Sequence, residues 1–598
     1  MSHFEKIGTD TYLVRGRVHG YLLVRGAEAL CVDPGPGAWV EHLDEIGVRR
    51  VTAVLGTHHH RDTLHHAGTL IGRGALFAAP AAEQRLIAGA AEFWRTARTY
   101  NLYDCGSDFS CLRASVPLEF ALTGGQQLEL AGWRVQALEL NGHTPGSMAY
   151  VIEHAGQRLA FMGDNLAAPG TVHDLHDFHV GYMDFAGGAA RLLERLPKLR
   201  ALKPDLLLPA HNAPIPGVQA ALDLLEKNIA RHAAALKPNR ISRPKDEIRQ
   251  AGPSVWFVGL TTYCIVAKNG KGLFWDWGYL NWDRLAQFGE RAGVKEVDVL
   301  TFSHYHDDHI CRAGELAHRA NHLADREKNV EHPRGARIWC HHFLHDILTR
   351  PHAWRMPCLW PQPIPIDRVY GDETIEWEGL KLEFFEFPGQ TYYHVGMIAH
   401  VDGHRYAFTG DNIWTPLPGF SPHGPIIPRN RYFVDRGHVY CAEALLKREV
   451  DFICPGHGDA FPVTRADLEG YKAWAEETGA SIRALCPDEP LGYDPWWLRF
   501  DPFHIYLPPG GEARFELVIE SPFKKKVGLR LRPMVSSGIE VFPKEKSLEI
   551  PARGTARLEF QLKTPREMQP GDRAVVTMDL EVNGEAWGEM GEGLVEIR

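Results

Sequence analysis

Short apolar runs bounded by glycine and proline open the chain: Thr11-Tyr12-Leu13-Val14, Tyr21-Leu22-Leu23-Val24 and Leu30-Cys31-Val32, the last running into Asp33-Pro34-Gly35. Runs of this length and composition predict β-strands. A second series starts at Val255-Trp256-Phe257-Val258, Tyr263-Cys264-Ile265-Val266 and Leu273-Phe274-Trp275, the last followed by Asp276-Trp277-Gly278. Each series closes on a helix. Val218, Leu222, Leu225, Ile229 and Ala233 recur at spacings of four and three and so share one face. Thr464 and Asp467 have the spacing of an N-terminal capping pair ahead of Leu468, Tyr471, Ala475, Ile482 and Leu485. The polar stretch Lys237–Lys245 reads as a linker. Beyond the second series, Phe515-Glu516-Leu517-Val518-Ile519, Val527–Leu531, Ala556–Phe560 and Ala574–Met578 are short strands between turns with no helical stretch, the pattern of an all-β sandwich. That tail holds one histidine, His504, and reads as a packing or interaction module, with a carbohydrate- or surface-binding domain as the alternative.

Three blocks occur twice, in order. Thr57-His58-His59-His60-Arg61-Asp62-Thr63 through Gly68 aligns without a gap on Ser303-His304-Tyr305-His306-Asp307-Asp308-His309 through Gly314. Gly142-His143-Thr144 through Asp164-Asn165 aligns on Gly389-Gln390-Thr391 through Asp411-Asn412, and Pro209-Ala210-His211 on Pro455-Gly456-His457. The offsets of 246, 247 and 246 residues indicate a tandem duplication.

Composition narrows the function. The 598 residues are 44% hydrophobic and 23% charged, enough for several cores of ordinary globular protein. The net charge of −10, without a long basic block, argues against nucleic acid as a partner. No apolar run is long enough to span a membrane, and the start does not read as a secretory signal. Ten scattered cysteines are not a disulfide scaffold and point to a reducing, cytoplasmic setting, with a removed export signal as the alternative; only Cys105 and Cys111 are close enough for a local bridge. The unusual number is 32 histidines.

In the second copy the strand Val297–Phe302 runs into His304-Tyr305-His306-Asp307-Asp308-His309. Residues two apart on an extended segment point the same way, so His304 and His306 converge, while Asp308 and His309 follow as the chain turns and serve a second ion. Asp411 ends the run Tyr406–Gly410, where a carboxylate could bridge two ions, and His457 ends Phe452–Gly456. Imidazole and carboxylate at this density suit zinc, or iron or manganese.

His304-x-His306-x-Asp308-His309, Gly410-Asp411 and Gly456-His457 together resemble the metallo-β-lactamase superfamily, and so do His58-x-His60-x-Asp62, Gly142-His143, Gly163-Asp164 and Ala210-His211. The resemblance implies an α/β fold: two tandem four-layer αββα sandwiches, residues 1–240 and 248–490, followed by an all-β, Ig-like sandwich over 500–598. It implies one or two metal ions per copy, zinc being the first expectation. It also implies hydrolysis of an ester, lactone or related small-molecule bond by a metal-bound hydroxide, with Asp308 and Asp62 as the catalytic carboxylates. An iron-dependent oxygen or sulfur redox enzyme is the alternative, as is one copy serving only to stabilise the other. The expected partner is a small-molecule substrate, with a homo-oligomer compatible. The copies depart from the pattern in complementary ways. Thr63 stands where the second copy has His309; His65, His66, His173, His176 and His179 lie nearby but read first as surface or pocket histidines. Gln390 stands where the first copy has His143; His394 is the candidate replacement, although gap-free alignment sets it opposite Ser147. The aromatic span Phe93–Tyr103, with Arg95 and Arg98, suits an anionic or aromatic ligand or a helix packing its own aromatics. Trp496-Trp497 reads as a seam of the tail with the second copy or as a subunit contact.

Overall fold

A computed structural model describes residues 2–100, 110–175, 187–236, 247–318, 335–414, 421–422, 437–536 and 538–598. The linker at 237–245, His176, His179 and Cys105 lie outside these residues. Those described within Met1–Arg98, Asp104–Ala234 and Ser481–Arg598 form one compact unit, and those within Thr99–Tyr103 and Ala235–Ala480 form another.

In the first unit seven strands make one sheet in chain order: β1 (Phe4–Gly8), β2 (Thr11–Val14), β3 (Tyr21–Arg25), β4 (Glu28–Val32), β5 (Arg50–Leu55), β6 (Leu76–Pro80) and β7 (Phe120–Leu122). Strands β1 to β4 are antiparallel and β4 to β7 parallel. A second sheet runs β12-β11-β10-β9-β8, from β8 (Gln127–Leu130), β9 (Trp133–Glu139), β10 (Met148–His154), β11 (Gln157–Gly163) and β12 (Leu206–Pro209). Strand β3 shows why its sequence is continuously apolar. Tyr21 and Leu23 point into the space between the sheets with Trp133, Tyr150 and Phe161, whereas Leu22 and Val24 point outward to Trp39 and the helix residues Leu70, Phe93 and Trp94. Both faces are covered, so both need apolar side chains. The second sheet carries helix Gly187–Ala201, which packs against β9 and buries Leu192, Leu196 and Leu199. These are the four expected layers.

The second unit repeats the plan with a seven-stranded sheet from Arg249–Gln250 to Arg368–Tyr370 and a six-stranded sheet from Thr374–Trp377 to Phe461–Pro462. Tyr263 and Trp275 of one sheet meet Phe408 of the other at ring distances of 5.8 and 6.0 Å. Outside, Phe288 of helix Trp282–Ala292 packs edge-on to Trp256 and Phe274, and Leu445, Leu468 and Tyr471 cover Phe385, Ile398 and Ile453. Even the irregularities recur: the register slips at Ala29/Leu30 and Gly272/Leu273, and again at Phe161/Gly163 and Phe408/Gly410. Helix Arg465–Leu485 begins with the reciprocal cap read from sequence, Asp467 N–H to Thr464 Oγ1 at 3.2 Å and Thr464 N–H to Asp467 Oδ2 at 2.8 Å.

The tail is two sheets, of four and five strands, around a core that includes Trp497, Phe515, Phe560 and Trp587. It belongs to the first unit: Phe503, Val575 and Leu594 enter the cluster formed by the helix layer over β1–β7. A buried ion pair, Arg61 to Glu592 at 2.6 Å, and a half-buried one, Arg113 to Glu589 at 3.0 Å, fix the same face. Replacing Phe503 by Ala removes an aromatic ring from this shared core and should destabilise the first unit by roughly 3 kcal/mol or more; urea titration followed by tryptophan fluorescence reads it as a lowered midpoint.

Candidate metal centres

The ligands gather where strands end. Strand β5 leads through Gly56 and Thr57 to His58, β11 ends on Gly163 before Asp164, and β12 leads to His211; the second copy places His304, Asp411 and His457 in the same way. C-terminal strand ends are where α/β folds collect reactive groups. The carboxylate needs a sharp turn. Gly163 (φ +53°) and Gly410 (φ +47°) adopt the left-handed region, and a Cβ there would lie 2.5 Å from Thr57 Oγ1 and from Ser303 Cβ, respectively. Only glycine meets both conditions.

In the second copy ligand atoms of His304, His306 and Asp411 lie within 4.8 Å of one another, as do those of Asp308, His309 and His457. Asp411 joins the two groups, 3.1 Å from His309 Nε2 and 3.3 Å from His457 Nε2. His304 Nε2 and His309 Nε2 are buried and make no hydrogen bond, although Asp411 is adjacent. They converge with the carboxylates on common points, the donor arrangement a divalent cation requires. Asp276 sets their tautomers: Ser303 Oγ donates to Asp276 Oδ2 at 2.7 Å and so accepts from His304 Nδ1–H at 2.9 Å, while His309 Nδ1–H donates to Asp276 at 2.8 Å. On loss of the second proton each Nε2 would therefore present its lone pair inward. Burial lowers the affinity of His457 for a proton, but Asp411 and Asp308 outweigh it and pull the group up to about 9. The same carboxylates raise His309 well above the usual range against its own burial, and the imidazoles hold Asp411 well below it.

Gln390 occupies the His143 position: its N–H donates to Asn412 Oδ1 at 2.7 Å, as His143 N–H does to Asn165 Oδ1 at 3.0 Å. Its amide Nε2 donates to Asp411 Oδ2 at 2.9 Å. His394 does sit opposite Ser147, because Val395 N–H bonds Ser303 O as Met148 N–H bonds Thr57 O. Its ring nevertheless turns inward, stacked on His304 at 4.7 Å with both nitrogens buried and unpaired, though outside the closest ligand group.

In the first copy His58, His60, His143 and Asp164 form one group of mutually close ligand atoms, and Asp164, His173 and His211 another. His58 and His143 lie 3.6 and 3.4 Å from Asp164 Oδ2, and His211 3.5 Å from Oδ1. Burial pushes His58 and His60 down to about 4, leaving neutral imidazoles ready to donate. Asp33 repeats the role of Asp276, accepting from Thr57 N–H at 2.8 Å and Thr57 Oγ1 at 3.0 Å, and Thr57 Oγ1 in turn contacts His58 Nδ1 at 3.0 Å. Burial outweighs these hydrogen bonds and raises Asp33 to about 8, and it raises Asp276 as well. Asp62 belongs to neither group; it accepts Thr63 N–H at 2.9 Å and lines the adjoining cavity. His66 is structural, bonded through Nε2 to Gly37 O at 2.6 Å.

A model of the metallo-beta-lactamase superfamily matches residues 13–211 and 273–457. The chain belongs to that superfamily. Curated relatives include a hydroxyacylglutathione hydrolase of Dechloromonas aromatica (strain RCB), 28% identical over 222 residues, 37% of this chain and 62% of that protein. Another, from Acidiphilium cryptum (strain JF-5), is 29% identical over 224 residues, 37% of this chain and 76% of that one. The first of these alignments therefore spans less than two thirds of its relative. Among solved structures, the metallo-beta-lactamase family protein TTHA1429 from Thermus thermophilus is 25% identical, with 39% of this chain and 83% of that one covered at a TM-score of 0.32. The subclass B3 metallo-beta-lactamase BJP-1 of Bradyrhizobium japonicum is 19% identical, covering 39% and 96% at 0.29.

Within this superfamily chain, sequence reading missed the supporting carboxylates. Asp33 and Asp276 were visible only as strand ends. Glu83 accepts His59 N–H at 2.8 Å and Gly146 N–H at 3.1 Å, tying the two ligand loops together, and Asp174 approaches His143 Nδ1 at 3.6 Å. No local motif marks them; their partners are distant in sequence. Arg95 turns to Glu92 at the surface, and Phe93 and Trp94 enter the core, so that helix packs its own aromatics.

Asp276→Ala should weaken zinc binding in the second copy by ~10–100-fold with the ligands intact, as loss of an outer-shell partner does; competition with a chelating dye reads it. Because His309 and His457 are held protonated by their carboxylates, zinc should displace protons on binding, and affinity should fall as pH is lowered through 9 toward neutrality. Calorimetry in buffers of different ionisation enthalpy counts the protons.

Proposed function

We propose that this chain is a metal-dependent hydrolase of small acyl compounds: esters, thioesters or lactones. The observation that supports it best is one carboxylate at a strand end placed between two groups of ligand atoms: Asp164 is a member of both groups in the first copy, and Asp411 belongs to one and lies 3.1 and 3.3 Å from His309 and His457 of the other. In the second copy His304, His306 and Asp411 hold one ion, with His394 supplying the imidazole that Gln390 lacks, and Asp308, His309, Asp411 and His457 hold the other. In the first copy His58, His60, His143 and Asp164 hold an ion, and His211 faces a second position. Zinc suits this donor set, as do iron and manganese. A bound cation would lower the pKa of water and polarise a carbonyl oxygen.

The chain's own groups do the rest. Asp308 Oδ1 is buried without a hydrogen-bond partner, placed to accept one from the attacking water, and Asp62 takes that place on the first copy's cavity wall. Trp414 packs on His457 at a ring distance of 4.7 Å and Tyr279 is held by Asp307 at 2.6 Å with its ring exposed, which suits a small partly apolar substrate. The relatives named hydroxyacylglutathione hydrolase favour acyl compounds within the superfamily's range. Among the described residues no helix is long and apolar enough to cross a membrane, and we place the protein in the cytoplasm, where its cysteines stay reduced.

Element-by-element metal analysis of the full chain comes first, followed by thioester, ester, lactone and phosphodiester panels. Bound zinc with acyl hydrolysis, lost by roughly 100-fold or more on chelation and in His306→Ala or His58→Ala, is the expected result. Predominant iron with oxygen-dependent turnover, or no metal after reconstitution, would overturn the reading.

A further inference from the structure

The first copy lacks the imidazole that His309 supplies in the second, yet its second ligand group is not empty of imidazoles. Asp164, His211 and His173 place ligand atoms within 4.8 Å of one another. His173 comes from a different loop, after β11, and its ring lies flat on His211 at 3.5 Å with an interplanar angle of 4°. His211 is already oriented: Nδ1 sits 2.9 Å from the carbonyl of Arg17, which can only accept, so Nδ1 carries the proton and Nε2 presents its lone pair toward Asp164. Thr63 meanwhile turns its hydroxyl to His58 Nε2 at 3.5 Å and offers nothing to the second group.

What holds His173 is the segment that leads into the β-sandwich. Val172 N–H donates to Leu485 O and Leu175 N–H to Gly492 O, both at 2.9 Å, and Cys486 Sγ approaches His173 O at 3.5 Å. The clamp brackets His173 and Asp174, and Asp174 lies beside His143 Nδ1 of the other ligand group. Gly492 packs directly on this loop, so that a Cβ there would lie 3.4 Å from His173 O and Asp174 Cα and press into Cys486. Next to the ligands is a cavity of about 70 Å³, lined by Asp62, Asp164, His173 and His211 on one side and by Trp496, Trp587 and other residues of the tail on the other.

We infer that the first copy binds a second divalent cation through Asp164, His173 and His211, and that residues 485–492 and the β-sandwich form part of this centre. His173 replaces, from a new position in the chain, the imidazole missing at Thr63. The segment leading into the tail then acts as the clamp for a metal-ligand loop, and the tail as part of the far wall of the first substrate cavity. This inference rests on the proposed reading of the first copy as a metal centre.

The test counts zinc per full-length chain after reconstitution and gel filtration, with circular dichroism and melting temperature to confirm folding. His173→Ala should lose one ion relative to the parent, His309→Ala should lose one independently, and the double variant should lose two. Thr63→His in the His173→Ala background should restore the ion by returning an imidazole to the position it holds in the second copy. Gly492→Val should weaken the same ion by ~10–100-fold, as an outer-shell change does, without affecting the second copy's zinc. A His173→Ala chain that is folded and keeps every zinc ion overturns the inference while leaving the metal-centre reading intact. A parent chain that takes up no zinc overturns both.

Discussion

A buried carboxylate at the end of a strand is the constraint around which each copy is organised. Asp164 and Asp411 are almost wholly removed from water, and an isolated charge so placed would be prohibitively costly. Burial drives each toward its protonated form, and only the surrounding imidazoles hold it well below the usual carboxylate range. The left-handed glycine before it, the side chain of Thr57 or Ser303 closing over that glycine, and the histidines from three other strand ends all follow from that requirement. So does the outer ring of Asp33 and Asp276, which fixes which ring nitrogen faces inward.

Duplication has let the two centres drift apart along different routes. The second copy keeps its turn of Asp308 and His309, and His309 holds Asp276 by a direct ion pair. The first has Thr63 in that place, and burial outweighs the hydrogen bonds that Asp33 accepts from Thr57, as it outweighs the partners of Asp276. Conversely, the first keeps His143, where the second has an amide bonded to the shared carboxylate. Gln390 keeps a polar group on the shared carboxylate, whereas Thr63 turns its hydroxyl to His58. The β-sandwich shares its core with the helix layer over β1–β7, and its Glu592 makes the buried ion pair with Arg61, between His60 and Asp62. The segment leading into the all-β tail thus reaches the loop of His173 through backbone hydrogen bonds, and the tail lines the adjoining cavity with Trp587.

Much of this was legible along the chain, and for local reasons. Strand runs, the capping pair at Thr464 and Asp467, and the His-x-His spacing are set by periods of two and of 3.6 residues. The internal alignment exposed the duplication, and with it the two departures at Thr63 and Gln390. His173 read first as a pocket histidine, because nothing within the neighbouring residues ties it to His211; the backbone bonds that bring it there come from 485–492. His394 was caught only as an alternative, since the gap-free register gave it the place of a serine.

By itself, then, the amino-acid order determined the strands, the two-fold repeat, the family motif and most of the histidines and aspartates that the fold brings into close groups, because these depend on spacing within a dozen residues. Tertiary structure alone decided the supporting carboxylates Asp33, Asp276, Glu83 and Asp174, the inward turn of His394 and the arrival of His173. It also decided that the tail belongs with the first copy rather than forming a unit of its own. Those features rest on pairings between residues distant in sequence, where side-chain direction and backbone closure carry the information and periodicity carries none.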